Sequence, residues 1–451
     1  MRNAFSAAPC VDSILTRRVL IAVLYCVAHI CVIQICTMKN PFEFGRELGI
    51  GELVDRENEV AEVEEVIRSG RKLFLIGPRR YGKTSILKAA EDKLQVANSV
   101  VLRLDAESYP TLEMLVNGIV AGAAKHLKSG VELAGEQIRK FFSRLRPELD
   151  FSLSDGAWTA KVSMGSAPED QGGVTLLVEA LNGLESLAKA QPPGRAVGLV
   201  IDEFQKVIEL GGGTAEAQIR AAIQRQKRTG YVFAGSKTQM LSAMTMDASR
   251  PFYRLGSIRF LGSVPRPDFE AFLGTKFVES GFKVQDASAI SLILDLAEDV
   301  PYNVQMLAHG CWDQLRDHVP IRSAILTEAV VKQALELLVR QYDPFYTQLW
   351  TALTSIQQRT LLAVVKQGGV KLQSITVVRS LGRGPSTVRR SLGALIDRNI
   401  LREEESSNGI RMRFEDPFFA QWIRRFAAGP VEFSNSVLGT GRTSPSPAIQ
   451  T

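Results

Sequence analysis

Gly77, Pro78, Arg79, Arg80, Tyr81, Gly82, Lys83, Thr84 and Ser85 follow one another as GPRRYGKTS, and their types and spacing suit holding a chain of phosphates. Gly77 and Gly82 let the backbone turn tightly enough for its N–H groups to surround phosphate oxygens, and a following helix N-terminus favours negative charge in the same place. The G-x4-G-K-T spacing gives Lys83 the reach of β- and γ-phosphates, and gives Thr84 a hydroxyl for Mg²⁺. Such a string also arises in ordinary glycine-rich turns, so context decides. Here an apolar run, Leu73 to Ile76, precedes it and a helical stretch opening Ser85-Ile86-Leu87-Lys88 follows it, the order a phosphate-binding loop requires.

A second element supplies the acids. Val197-Gly198-Leu199-Val200-Ile201 suits a strand buried on both faces of a parallel sheet, and it runs straight into Asp202-Glu203. At the strand's carboxyl end Asp202 can hold Mg²⁺ through its water shell, while Glu203 points elsewhere and can orient or deprotonate an attacking water. The plain alternative is a core strand ending in an acidic turn. A phosphate loop in the same chain favours the catalytic reading.

These residues need a scaffold, and the order of elements provides one. A helical pattern runs through Val60, Val63 and Ile67, then come the loop strand, its helix and a second strand at Val100 to Leu104. Helical patterns follow over Leu112 to Lys128 and Val131 to Leu145. Alternation across Asp150 to Gly165, broken by Asp155-Gly156, predicts an inserted β-hairpin. Leu176 to Ala190 is amphipathic and ends at Pro192-Pro193-Gly194. After the acidic strand come a glycine break at Gly211 to Gly213, a helix over Arg220 to Arg228 and a strand at Tyr231 to Ala234. Strands alternating with helices predict an α/β fold with a doubly wound parallel sheet, its ligand at the strands' carboxyl ends.

At 451 residues, more than one domain is expected. Composition is ordinary for a globular protein, with 45% hydrophobic and 23% charged residues. The net charge of +6 is unevenly placed. Gln341 to Ala428 holds thirteen basic residues against seven acids, an excess equal to that of the whole chain. Four of the five cysteines, Cys10, Cys26, Cys31 and Cys36, lie in the first 37 residues and leave only Cys311 in the body. That excludes a disulfide framework in the body, no spacing suggests zinc, and a cytoplasmic body is expected.

Residues 1–37 stand apart. Val19 to Thr37 is nearly continuously apolar, with Arg17 and Arg18 before it and only His29 and Gln34 interrupting it, a length that fits one bilayer crossing. Lys39 and Arg46 balance the flanking charge, so orientation is not specified. An anchor with its N-terminus inside would place the phosphate loop in a compartment without ATP. Three readings stay open: a mis-assigned start, with Met38 the true first residue; a membrane anchor, if residues 1–37 are genuinely translated; and a cleaved signal, which lacks an evident small-residue cleavage site. Ser434 to Thr451 is rich in Ser, Pro, Thr and Gly and expected to be disordered, within a tail over 429–451.

Val54-Asp55-Arg56-Glu57 before the first strand, GPRRYGKTS at the loop and Val-Ile-Asp-Glu-Phe-Gln at the acidic strand together resemble the archaeal-type ATPases, in the STAND branch of the AAA+ P-loop NTPases, over roughly Met38 to Phe426. The resemblance implies a P-loop ATPase domain over 38–262, a helical lid over 263–340, its helices at about Arg266 to His318, and a winged helix-turn-helix over 341–428. It implies that Asp55, Arg56 and Glu57 pack near the adenine, and that Ser236 sits where the family places its sensor 1 polar residue. Gly235-Ser236 is equally plain turn chemistry. The family's Gly-x-Pro falls on Asp299-Val300-Pro301, with the glycine replaced, which puts close backbone approach to the nucleotide in doubt. Arg254 resembles an arginine-finger position acting on a neighbouring subunit in a homo-oligomer. The alternative is a solvated or ion-paired surface arginine.

In the C-terminal segment, helices are expected at Ile356 to Val365, Ile375 to Leu381 and Ser386 to Arg398, with Ser386 as N-cap and a wing at Leu401 to Glu405 and Ile410 to Phe414. Arg383, Arg389, Arg390, Arg411 and Arg413 fall where a reader of duplex DNA needs them, although Glu403 to Glu405 would repel phosphates. Winged helices also dock proteins or clamp nucleotides. Two functions follow: a slow Mg²⁺-dependent ATPase acting as a switch, or a DNA-binding regulator whose ATP is chiefly structural.

Overall fold

The computed structural model describes residues 39–126, 136–137, 139–145, 147–154, 157–164, 172–318, 324–406 and 409–427. Its strands are, in chain order, β1 (Lys72–Ile76), β2 (Val100–Asp105), β3 (Pro147–Ser154), β4 (Ala157–Met164), β5 (Val197–Asp202), β6 (Thr229–Gly235) and β7 (Ser257–Phe260). Five of them form a sheet in the order β2-β5-β6-β1-β7, and every neighbouring pair runs parallel. β5 and β6 are buried throughout, as expected of apolar runs covered on both faces. Side chains alternate across the sheet. Leu73 and Leu75 of β1 join one core with Val60, Val63, Ile67 and Leu87, while Phe74 and Ile76 join a second with Leu115, Ile119, Leu181 and Leu241. Helices Glu57–Arg68 and Lys83–Val96 cover the first face. Leu112–His126, Gly173–Lys189, Gln205–Gly211, Ala215–Ile223 and Thr238–Met246 cover the second. Each large apolar side chain taken fully from water adds roughly 1.5–3 kcal/mol. Helix Glu57–Arg68 lies so close that a Cβ on Gly230 would come within 2.4 Å of Ile67 Cα.

The four expected sheet strands are present, each extended by one to three residues. β7 was not foreseen, because Ser-Ile-Arg-Phe on an exposed sheet edge lacks the apolar run of a central strand. The helix expected at Arg220 to Arg228 instead spans Ala215–Ile223, with Ala215, Ile219 and Ile223 carrying its buried face. A further helix, Gln205–Gly211, follows the acidic strand directly. The hairpin is observed as β3 paired antiparallel with β4, while its 155–156 turn lies outside the described residues. So do 1–38, most of 127–138 and 428–451, and with them the first 37 residues and the Ser/Pro-rich tail. Among the described residues, no helix is long and apolar enough to cross a membrane.

Beyond the sheet, helices Arg266–Glu279, Ala287–Ala297 and Pro301–His318 form the expected helical region, and β8 (Lys283–Val284) pairs with β9 (Ile325–Leu326). This region belongs to the same compact unit as the sheet; the chain divides between Ala334 and Leu335, inside the helix Glu328–Gln341.

The second unit holds helices Asp343–Thr351, Ser355–Gln367, Ile375–Leu381 and Pro385–Asp397, then β10 (Leu401–Ser406) antiparallel to β11 (Gly409–Phe414), then Pro417–Trp422. Thr354 and Gln357 close the start of the second of these helices in a capping box. Ser386 is not an N-cap. Pro385 already occupies the first turn, where its missing N–H costs nothing, and Gly384 is the cap. Arg389 and Arg390 are exposed on this helix and Arg383 on the loop before it. Arg413, by contrast, is ion-paired to Glu404 at 2.8 Å, which offsets its charge, and Arg411 donates to Gly368 O at 2.8 Å, which holds its guanidinium against the end of helix Ser355–Gln367.

Candidate functional site

The carboxyl ends of β1, β5 and β6 meet at one rim because β6 lies between the other two. Gly77 leaves β1 where the chain after β7 crosses it: a Cβ there would come within 2.8 Å of Leu261 Cβ, so a larger residue would push the strands apart. Arg80 and Gly82 take left-handed φ of 68° and 87°, closing the loop onto helix Lys83–Val96. The buried Lys83 ammonium donates to Gly77 O and Pro78 O, both at 2.8 Å, which fixes it within the loop. Across the gap to β5, Thr84 Oγ1 donates to Asp202 Oδ2 at 2.8 Å.

Asp202 is 4% exposed. Burial raises its carboxyl above the ordinary range and the Glu203 charge adds to that, while the Thr84 hydroxyl and the Lys83 charge pull it down. Phe204 sets the next turn: its N–H bonds Ala234 O at 2.8 Å and its ring lies 4.3 Å from that of Phe233. Glu203 is thereby held at a left-handed φ of 49°, strain of about 1–2 kcal/mol for a non-glycine residue. Its Oε2 accepts from Ser236 Oγ at 2.7 Å, Ser236 N at 3.1 Å and Gln205 Nε2. Burial alone would raise this carboxyl, but the Gln205 and Ser236 hydrogen bonds and Lys83 outweigh it, so Glu203 titrates below its usual value.

The rim opens into a cleft of about 460 Å³ whose lining is part charged and part apolar. Leu53, Val54, Val264, Phe269, Pro301 and Tyr302 supply the apolar part. The segment 39–54 forms one wall. It is pinned by fully buried Phe42 against Phe277, with ring centroids 4.7 Å apart, by His309 Nδ1 at 2.6 Å from Phe42 O, and by Leu48 N donating to Ser85 Oγ at 3.1 Å. Arg46 on this segment pairs with Glu43 and Glu52, and holds the Glu43 carboxyl down at about 2, with Lys39 assisting. The Arg80 guanidinium stacks over Tyr302, 5.2 Å from its ring centre.

Arg79 to Ser85 and Glu203 line the cleft, and Gly77, Pro78, Asp202 and Ser236 are hydrogen-bonded to them at the same rim. Ser85 reaches it chiefly by holding Leu48, and Tyr81 is mostly packed into the core. Asp55 and Glu57 do not line the cleft. Glu57 opens a helix and faces solvent, whereas Val54 and Arg56 contribute, and the Arg56 side chain is spent on Gly262 O at 2.7 Å and on Glu59. At Asp299 the backbone takes a left-handed φ of 55°, and Pro301 lines the cleft. Arg254 lies before β7, at the amino-terminal end of the sheet and far from this chain's own rim, stacked on Tyr253 at 5.0 Å. Gln205, Glu107 and Tyr302 were not singled out from sequence; only Gln205, two residues beyond Glu203, carried a positional signal.

A parallel sheet with this strand order, a glycine-rich loop entering a helix, and a Thr–Asp pair bridging two non-adjacent strands define an α/β P-loop NTPase fold of the AAA+ kind. The solved structures agree. The Walker-type ATPase PABY2304 of Pyrococcus abyssi is similar over 85% of this chain and 100% of its own, with TM-score 0.56 and 18% identity. The ORC2 protein of Aeropyrum pernix, solved in ADPNP–ADP complexes, is similar over 86% and 96%, with TM-score 0.50 and 15% identity. At such identities the shared property is the fold. No protein-family model matches the chain, and no curated protein is similar to it in sequence.

Proposed function

We propose that the chain binds ATP with Mg²⁺ in this cleft and hydrolyses it slowly, as a nucleotide-driven switch that repositions its C-terminal winged-helix module. The observation that carries the reading is the convergence of Lys83, the Thr84–Asp202 hydrogen bond and Glu203 at the rim of a cleft that also has an apolar and aromatic lining. Triphosphate and base thus each have chemically matched partners. The ORC2 structure holds ADPNP and ADP in the same fold, which supports it. Thr84 and Asp202 present only oxygen donors, and a buried carboxylate whose charged form is disfavoured gains from a cation, so the pair fits Mg²⁺. Bound there, Mg²⁺ would neutralise charge on the β- and γ-phosphates. Lys83 would exchange the Gly77 and Pro78 carbonyls for phosphate oxygens. Backbone N–H groups at the start of helix Lys83–Val96 would add to the cradle. Glu203, kept ionised by Ser236 and Gln205, is the base for the attacking water, and Ser236 contacts the γ-phosphate. Arg254 can reach such a site only on a second copy of the chain.

A DNA-binding regulator remains a second reading, favoured by exposed Arg383, Arg389 and Arg390 on one helix and the loop before it. A protein partner at the same module is its rival. Phosphate release by the full chain with Mg²⁺ and ATP, measured with and without duplex DNA, tests the choice. Steady turnover supports the switch; DNA affinity that ignores nucleotide, with no turnover, contradicts it.

A further inference from the structure

Arg79 stands second after Gly77 in the loop, and its guanidinium is used at neither the sheet nor the lid. Its Nε donates to Ser236 Oγ at 3.5 Å, and its Nη2 meets Glu107 Oε1 at 3.0 Å. Ser236 Oγ in turn donates to Glu203, so the guanidinium is one hydrogen bond removed from the proposed base. Glu107 is placed by topology. β2 and β5 run in register with Asp105 opposite Asp202, and Asp105 Oδ1 caps the turn Ala106–Ser108 through Glu107 N, which sets the Glu107 carboxylate on the same rim. Both residues line the cleft, and each is about half exposed, so their ion pair is weak and readily exchanged.

We propose that Arg79 reads the γ-phosphate in cis, leaving Glu107 for the terminal phosphate when a nucleoside triphosphate binds and returning to it with the diphosphate. The proposal rests on the ATP-site reading. A planar guanidinium matches phosphate oxygens in pairs and retains its charge at any working pH, whereas Lys83 brings a single point charge shared between the β- and γ-phosphates. Glu107 competes for the same donor, so the pair sets the preference for triphosphate over diphosphate and ties the end of β2 to nucleotide state.

Equilibrium titration of the full chain with ADP and with the β,γ-imido analogue of ATP tests this. Arg79→Ala should cut the triphosphate-to-diphosphate affinity ratio about tenfold, with ADP affinity within about twofold of wild type. Glu107→Gln should raise analogue affinity about twofold, and should do so only while Arg79 is present. An unchanged ratio in Arg79→Ala, an equal loss of both nucleotides, or a Glu107→Gln effect that persists without Arg79 would overturn the proposal. Such a failure with Lys83→Ala still abolishing binding leaves the ATP site standing; wild type that binds neither nucleotide overturns both.

Discussion

The charged rim of the cleft draws Lys83 and Thr84 from the helix after β1, and Asp202, Glu203 and Ser236 from the ends of β5 and β6, whereas its apolar lining draws Leu53, Val54, Val264, Phe269 and Tyr302 from segments far apart in the chain. At the first, every contact is a hydrogen bond of fixed length between charged or polar atoms, so the residues cannot change type or spacing without loss. At the second, contact is apolar and any group of similar shape serves. The charged rim should therefore decide whether nucleotide binds and reacts, and the apolar lining how tightly the base is held.

Lys83→Ala gives the largest expected change. It removes the charge facing the β- and γ-phosphates, and analogue affinity should fall about a hundredfold, roughly 3 kcal/mol, the upper end of what a hydrogen bond to a charged group contributes. Circular dichroism should show the fold intact, because the lost bonds are two loop carbonyls. Tyr302→Ala sharpens the contrast with a smaller effect. Affinity should weaken about tenfold with turnover at saturation unchanged, since uniform binding is lost and no reacting group is touched. A fall in saturated turnover would show that the two parts are not separable. The smallest effect on the nucleotide site is expected from Arg389→Glu with Arg390→Glu. ATP affinity should be unaltered, while any DNA affinity and its dependence on salt should drop as fewer phosphates are neutralised. Isotherms at several salt concentrations check this, and equal slopes for wild type and variant would leave protein docking or nucleotide gating as the module's role.

The same contrast explains what was legible in the sequence. Gly77 to Thr84 could be read because phosphate chemistry forces its residues to be contiguous, and Asp202-Glu203 because two acids stand directly after an apolar run. Phe269 and Tyr302 could not, because an aromatic residue lining a ligand cleft and one filling a core have the same local pattern. Strand β7 was hidden by its exposed edge, with Phe260 49% accessible. Helix Ala215–Ile223 lies five residues before the expected Arg220 to Arg228, with its buried face set by the four-residue spacing of Ala215, Ile219 and Ile223. Arg413 shows the limit of counting charge: its ion pair with Glu404 becomes visible only once β10 and β11 are in register. At Asp299, where the resemblance expects a glycine, the backbone takes a left-handed φ of 55°.

Glu203 joins these lines, since it is strained, partly buried, held by Ser236 and Gln205, and, on the proposed reading, the base that would turn a binding site into an ATPase. The most direct test is phosphate release by Glu203→Gln beside its affinity for ATP. The amide keeps the shape and loses the proton acceptor, so binding should match wild type while turnover falls about 10²–10⁴-fold. Turnover at the wild-type rate would contradict the account, moving the base elsewhere and leaving Glu203 a structural residue at the end of β5.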